Sequence, residues 1–446
     1  MLYRKATEKI KAWKREKTNQ ALLITGARQV GKTTLVRQFA KENYSVFAEI
    51  NFFETPEAVE VISKARNTED LLLRITSLTN KELIPNKSLI FFDEIQEFED
   101  VITWSKFLLE RTEYDYIFSG SLLGVDLFNI RSWPVGFMNT LELFPLNFEE
   151  FCLANGTPAT LINTVRESFL NLEPVPDFIH KKMLETFAKY ILVGGFPAAV
   201  QQYVDTHDFN AMRRAHNGIY DMYEYDITKH MQEAEGMRYT KAVYEAIPAQ
   251  LNKENKRFKF TQLKGPDAVH TSDMRFSRME SSFDWLEHAG VALSTLRIDE
   301  PRFPLAAYAN RNAFKLYLND VGLLMSRLSG EATIDVLAGR SDINYGSIYE
   351  NAVAQELLSS GHELYYYNNT KRGEVDFVVQ STTQGEISLV EVKSGKNYKR
   401  HVALNNLLGV NDYSFKNAYV LCNGNVEVTG KADKVVYLPI YMASFL

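Results

Sequence analysis

Residues 21–34, ALLITGARQVGKTT, run from a short apolar strand through a glycine-bounded loop into a helical pattern, LVRQFAKEN. Gly26, Gly31, Lys32 and Thr33 fit G-x-x-x-x-G-K-[ST] in the strand–loop–helix setting that pattern needs. Glycines let the backbone turn until its N–H groups face one point, and the helix N-terminus adds partial positive charge there. Ala27, Arg28, Gln29, Val30 and Thr34 complete the cradle. Lys32 is expected to meet the β- and γ-phosphates of a nucleotide, and the Thr33 hydroxyl a magnesium ion.

A second apolar strand, SLIFFDEIQ, ends in adjacent carboxylates, Asp93 and Glu94. Successive strand side chains leave opposite faces, so the two acids serve different points. Asp93 is expected to hold the metal, and Glu94 to polarise the water that attacks the γ-phosphate. A third strand, DYIFSGS, ends in Ser119 and Ser121, either of which can bond the water or the phosphate, with Ser121 favoured. Strands near 21–25, 45–52, 88–93, 115–120 and 140–145, separated by helical stretches, predict a parallel α/β sheet with its ligand at the strand C-terminal ends.

The chain has 446 residues, 45% apolar and 24% charged, with a formal charge of -6. That length implies about three domains with real cores, and the acidic balance excludes a chain-wide basic field for nucleic acid. Two distant cysteines, Cys152 and Cys422, have no metal or redox spacing and suit a reducing interior. The charged N-terminus carries no export signal, and no run approaches membrane-spanning length, so a cytoplasmic protein is expected. Tyr3, Ala6, Ile10 and Trp13 recur at helical spacing and predict an amphipathic helix lying on the first domain.

The stretches GARQVGKTT, IFFDEIQ, FSGSLLG and LELFPLNFEEF resemble AAA-type ATPases, in particular a prokaryotic group with a restriction-endonuclease-like C-terminal domain. The resemblance implies that residues 1–150 bind ATP and Mg²⁺ and hydrolyse ATP. It also implies an arginine finger, but SWPVGFMNT stands where many relatives carry Gly-Arg, leaving Arg131 as the nearest candidate.

Residues 151–335 read as mainly helical, interrupted by LVGGFPAAV with Gly194, Gly195 and Pro197. Gly-Gly-x-Pro is an interhelical turn by composition; the resemblance would have Pro197 report which nucleotide is bound. Two helical runs followed by VALSTLRI and AFKLYLND suggest a winged helix. Lys253, Lys256, Arg257, Lys259 and Lys264, with Phe258 and Phe260 between them, form a basic and aromatic cluster that suits DNA contact or, equally, a solvated face.

Residues 336–446 read as helix, three strands, helix and strand, an order resembling the core of restriction-endonuclease-like nucleases. Glu391 and Lys393, two apart on one strand, leave the same face, and Asp376 on the preceding strand can lie beside them. Two carboxylates, Asp376 and Glu391, then suit a hard divalent cation, with Lys393 placed to activate water. Glu350 or Glu356 on the preceding helix could complete the set. A local phosphate track is offered by Lys393, Lys396, Lys399 and Arg400.

The expectation is an α/β chain in which a P-loop parallel-sheet ATPase precedes a helical and winged-helix adaptor and a nuclease-like domain. Its cofactors are ATP and Mg²⁺, and its candidate partners are DNA and further copies of itself, without a membrane. The alternative is a nucleotide-dependent switch whose nuclease-like domain grips DNA or a protein without cutting.

Overall fold

The computed structural model describes residues 2–16, 18–121, 136–230, 234–253, 256–259, 276–329, 345–381, 385–429 and 435–446. Arg131, Phe260 and Lys264 lie outside them. The chain divides into two compact units, one built on residues 3–144 with 288–290, the other on 145–287 and 291–446.

In the first unit, β1 (Ala21–Thr25), β2 (Val46–Asn51), β3 (Ser88–Asp93), β4 (Asp115–Ser119) and β5 (Met138–Glu142) form one sheet in the order β2-β3-β4-β1-β5. Every pairing is parallel. Such a sheet is covered on both faces, which is why β3 is apolar without alternation and all of its residues are buried. Leu23, Ile50, Phe92 and Phe118 share the core, with the Phe92 and Phe118 rings stacked at 5.0 Å. The first four strands fall where the sequence predicts them, and the fifth, expected near 140–145, lies two to three residues earlier, at Met138–Glu142. The helix Ala6–Glu16 buries Ala6, Ile10 and Trp13 as expected, whereas Tyr3, before its first turn, is 44% exposed.

The second unit starts with helices. Asn147 and Glu150 form a reciprocal capping box that fixes the start of Phe148–Ala154. The helix Asp177–Val193 ends at Gly194, whose φ of +67° suits glycine, and Pro197 opens the next helix, Pro197–Thr206, where its missing N–H leaves no bond unmade.

The strands β6 (Ala292–Ile298), β7 (Ala309–Leu318), β8 (Tyr365–Asn369), β9 (Gly373–Gln380), β10 (Ile387–Val392), β11 (Asn417–Cys422), β12 (Glu427–Thr429) and β13 (Val435–Pro439) form a mixed sheet ordered β12-β13-β11-β10-β9-β8-β6-β7. The runs VALSTLRI and AFKLYLND therefore do not close a small wing of their own. They pair with each other and, through β6 and β8, join the C-terminal sheet. The division expected at 335/336 thus falls inside one compact unit, because backbone pairing between β6 and β8 unites the two sides of it. The helix Tyr345–Ser359 is buried from Glu350 to Leu357, polar residues included. Among the described residues no helix is long and apolar enough to cross a membrane. Cys152 and Cys422 are buried free thiols.

Candidate functional sites

In the first unit the loop after β1 takes left-handed backbone at Gly26, Gln29 and Gly31, with φ of 126°, 67° and 95°. That curls successive N–H groups into a concavity ahead of the helix Lys32–Asn43. Gly26 is also required sterically, since a Cβ there would stand 2.1 Å from the Leu143 carbonyl oxygen. Lys32 donates to the Gly26 and Ala27 carbonyls at 2.8 and 2.9 Å. Burial lowers its pKa to about 8, with Glu94 and Asp93 pulling it back up and Arg28 adding to the fall. The ammonium is thus held inside the loop by carbonyls that an anion can replace.

Asp93 ends β3 fully buried, and three side chains converge on it. Thr33 Oγ1 donates to its Oδ2 at 2.7 Å, Asn51 Nδ2 donates to the same oxygen at 3.0 Å, and Ser119 donates to Oδ1. Burial pushes the Asp93 carboxyl above its usual range, while the Ser119 and Thr33 bonds oppose the shift. A hydroxyl and a carboxylate oxygen side by side are hard donors suited to Mg²⁺, so the residues present fit that ion.

Glu94 takes a left-handed backbone, φ 54°, uncommon outside glycine and sustained only where the surroundings enforce it. Its Oε2 accepts from Gln96 and, at 3.3 Å, from Ser121. Arg28 Nε in turn donates to Ser121 Oγ at 3.2 Å. The two serines therefore divide the work: Ser119 serves Asp93 and Ser121 serves Glu94. Asn51 and Gln96 escaped the sequence reading: Asn51's part depends on which strand ends stand together, and Gln96's on the turn that follows β3.

The second unit gathers charge around Glu350. Alternation puts Lys315 and Tyr317 on one face of β7 and Glu374 and Asp376 on one face of β9. Lys315 Nζ lies 2.7 Å from Glu374, 3.4 Å from Glu350 and 3.8 Å from Asp376. Glu350 also pairs with Lys256 and accepts from the Tyr317 hydroxyl at 3.1 Å. Asp376 Oδ2 accepts from the Val392 amide at 2.8 Å, and Lys393 pairs with Glu391 at 2.6 Å.

These contacts set the titration of the pocket. Burial alone would raise Glu350, but the Lys315 and Lys256 ammoniums outweigh it and hold it down to about 2. Asp376 moves the other way, well above its ordinary value, through burial and the nearby Glu350 and Glu391 charges. Burial raises Glu391 as well, against the pull of Lys393. Lys315 is fully buried, which would lower it, yet Glu350 and its neighbours keep it firmly protonated.

Asp376, Glu391, Lys393 and Glu350 thus lie in one region, as the spacing suggested. Glu356 does not join them. Its Oε1 accepts from the Phe148 amide and the Tyr190 hydroxyl, both at 2.8 Å, because six residues along a helix carry it about 120° around from Glu350. Lys256 is likewise no solvated phosphate contact, its side chain being 14% exposed and paired with Glu350. Lys315 was missed altogether, and the available signal was a lysine inside the apolar run AFKLYL.

Residues 18–152 match the family model described as an AAA domain. The first unit is accordingly a P-loop ATPase domain of the AAA type. Residues 184–333 and 345–442 match two domains of unknown function, DUF8612 and DUF4143. No curated protein matches the chain in sequence. Among solved structures, the Walker-type ATPase paby2304 of Pyrococcus abyssi is 16% identical with a TM-score of 0.45, over 74% of this chain and 96% of that one. Cdc6p from Pyrobaculum aerophilum is 10% identical over 73% and 94% of the two chains, TM-score 0.23. Drosophila ORC bound to DNA is 14% identical over 75% and 95%, TM-score 0.27.

Proposed function

We propose that the chain is a Mg²⁺-dependent ATPase whose nucleotide state governs a nuclease-like C-terminal effector acting on DNA. The observation that carries the ATPase half is the Thr33–Asp93 contact of 2.7 Å beside the buried Lys32. Phosphates entering the loop meet its N–H groups, and Lys32 exchanges the Gly26 and Ala27 carbonyls for β- and γ-oxygens. Thr33 and Asp93 would hold Mg²⁺, which would supply charge neutralisation at those oxygens. Glu94, steadied by Gln96 and Ser121, accepts a hydrogen bond from the attacking water and aims it at the γ-phosphate. Lys32→Ala should lower phosphate release from ATP on the order of 100-fold or more. Undiminished turnover would remove the reading.

For the effector half, support comes from Asp376 on β9, Glu391 at the end of the adjacent β10 and Lys393 just beyond it, 2.6 Å from Glu391, a set of residues that suits phosphodiester chemistry. The test is Mg²⁺- or Mn²⁺-dependent cleavage of supercoiled and linear DNA, with and without ATP, comparing the native chain with Asp376→Ala. A second reading, a switch whose C-terminal unit grips a partner without cutting, is favoured by the Lys315 ammonium among Glu350, Glu374 and Asp376. Cleavage by the native chain that Asp376→Ala abolishes decides for the nuclease. DNA binding without cleavage decides for the grip.

A further inference from the structure

Resemblance to nucleases implies a divalent metal between the C-terminal carboxylates, and the donor set can be tested for it directly. A hard cation such as Mg²⁺ takes about six oxygen ligands in close to octahedral array. Here most of the oxygens are already engaged, Asp376 Oδ1 meeting only Lys315 among the described residues, at 3.8 Å. Asp376 Oδ2 takes the Val392 N–H, one Glu391 oxygen takes Lys393, and both Glu350 oxygens face Lys256, Lys315 or Tyr317. Among the described carboxylate oxygens of Asp376, Glu391 and Glu350, Glu391 Oε2 is buried without a hydrogen bond. Among the described residues no group of three or more His, Cys, Asp or Glu is arranged to hold a metal ion.

Beside these carboxylates stands Lys315, closest to Glu374 and Glu350 and 3.8 Å from Asp376. Its ammonium is a compact point charge with three donors, the form of cation that can stand in for a metal among carboxylates. It is 0% exposed, and an uncompensated charge so placed would be untenable without these acids around it. Tyr366 adds a ring face 5.0 Å from the same nitrogen. Backbone pairing locks β7 against β6 along the strand, so the lysine stem enters from a fixed base.

We propose that Lys315 is the resident cation of this pocket and that the C-terminal unit therefore binds no divalent metal there. The inference deepens the grip reading of the effector, stands against metal-dependent cleavage at this site, and leaves the ATPase half untouched. Its direct test is Mn²⁺ binding followed by the paramagnetic resonance of the free ion, on the full chain without nucleotide. Thr33→Ala and Asp93→Asn are introduced together to remove the loop's own metal donors.

That chain should leave the Mn²⁺ signal unreduced into the millimolar range. Adding Lys315→Met, which keeps the stem and deletes the charge, should create one Mn²⁺ site, and Asp376→Asn should abolish it. One Mn²⁺ bound before Lys315 is changed, and lost with Asp376→Asn, would overturn the proposal. So would a folded Lys315→Met chain that still binds none, since Lys315 would then not be the excluding group. If Lys315→Met does not fold, the titration of the parent with and without Asp376→Asn decides alone. Phosphate release by the chain with its loop intact reports separately on the ATPase reading.

Discussion

The Gly195 amide donates to Asp320 Oδ2 at 2.6 Å, tying the Gly-Gly-Phe-Pro turn to the start of the helix Val321–Ser329. Oδ1 of the same carboxylate accepts from the Leu323 amide at 2.9 Å, as a helix-capping aspartate does. Gly194 leaves no room for a side chain, because a Cβ would stand 2.1 Å from Asp320 Oδ1. The motif that composition marks as a plain turn is therefore a clasp between two distant parts of the second unit.

The clasp carries a pH dependence. Burial raises Asp320 to about 6, against the opposing backbone bonds from Gly195, Leu323 and Gly322. An unfolded aspartate titrates near about 3.9, so between there and about 6 the native chain binds more protons than the unfolded one. Asp320 by itself then lowers stability as pH rises through that window. Asp320→Asn should flatten that part of the profile, read as the melting temperature of native and variant chains from pH 4 to 7. An unchanged slope would show that Asp320 does not titrate there.

Gly26→Ala should cost the first unit both stability and ligand. The added Cβ meets the backbone oxygen of Leu143, which cannot swing away as a flexible side chain could, and φ of 126° is unsuited to alanine. A loss on the order of 2 to 4 kcal/mol is expected. Nucleotide-dependent thermal stabilisation should disappear with it; a variant that melts normally and still binds ATP would refute the steric argument.

Ser119 and Ser121 should separate kinetically. Ser119→Ala removes a donor from Asp93, so its effect should be a weaker apparent affinity for Mg²⁺ along with slower hydrolysis. Ser121→Ala loosens Glu94 instead and should lower kcat about 10-fold at saturating Mg²⁺ and ATP. Identical Mg²⁺ profiles for the two variants would contradict the division of contacts.

Glu356→Ala should act through folding. It leaves the Phe148 amide without its carboxylate, while the Tyr190 hydroxyl keeps the Leu146 carbonyl at 3.1 Å as acceptor. An unfilled buried donor costs roughly 1 to 3 kcal/mol. Denaturant unfolding should register that loss, whereas any DNA affinity of the folded variant should stay at the native level. A selective loss of DNA binding with native stability would return Glu356 to the C-terminal pocket.

Much of this protein was legible in its residues because the information is local. Five strands, the glycine-bounded loop, and the acids that follow β3 lie within short runs whose burial pattern and turn chemistry dictate their form. Asp376 and Glu391 were legible for the same reason, as neighbours on adjacent strands, with Lys393 just past the end of β10. Lys315 was not. Two strands, β8 and β6, separate β9 from β7, and at about 4.8 Å per strand a flat sheet would hold the lysine away from Glu374. In the fold Lys315 nevertheless reaches to 2.7 Å of that carboxylate. Sequence determined which residues carry charge and which way each strand faces it. Tertiary structure decided which charges meet, and so turned a spacing that reads as a metal site into a pocket filled by a lysine.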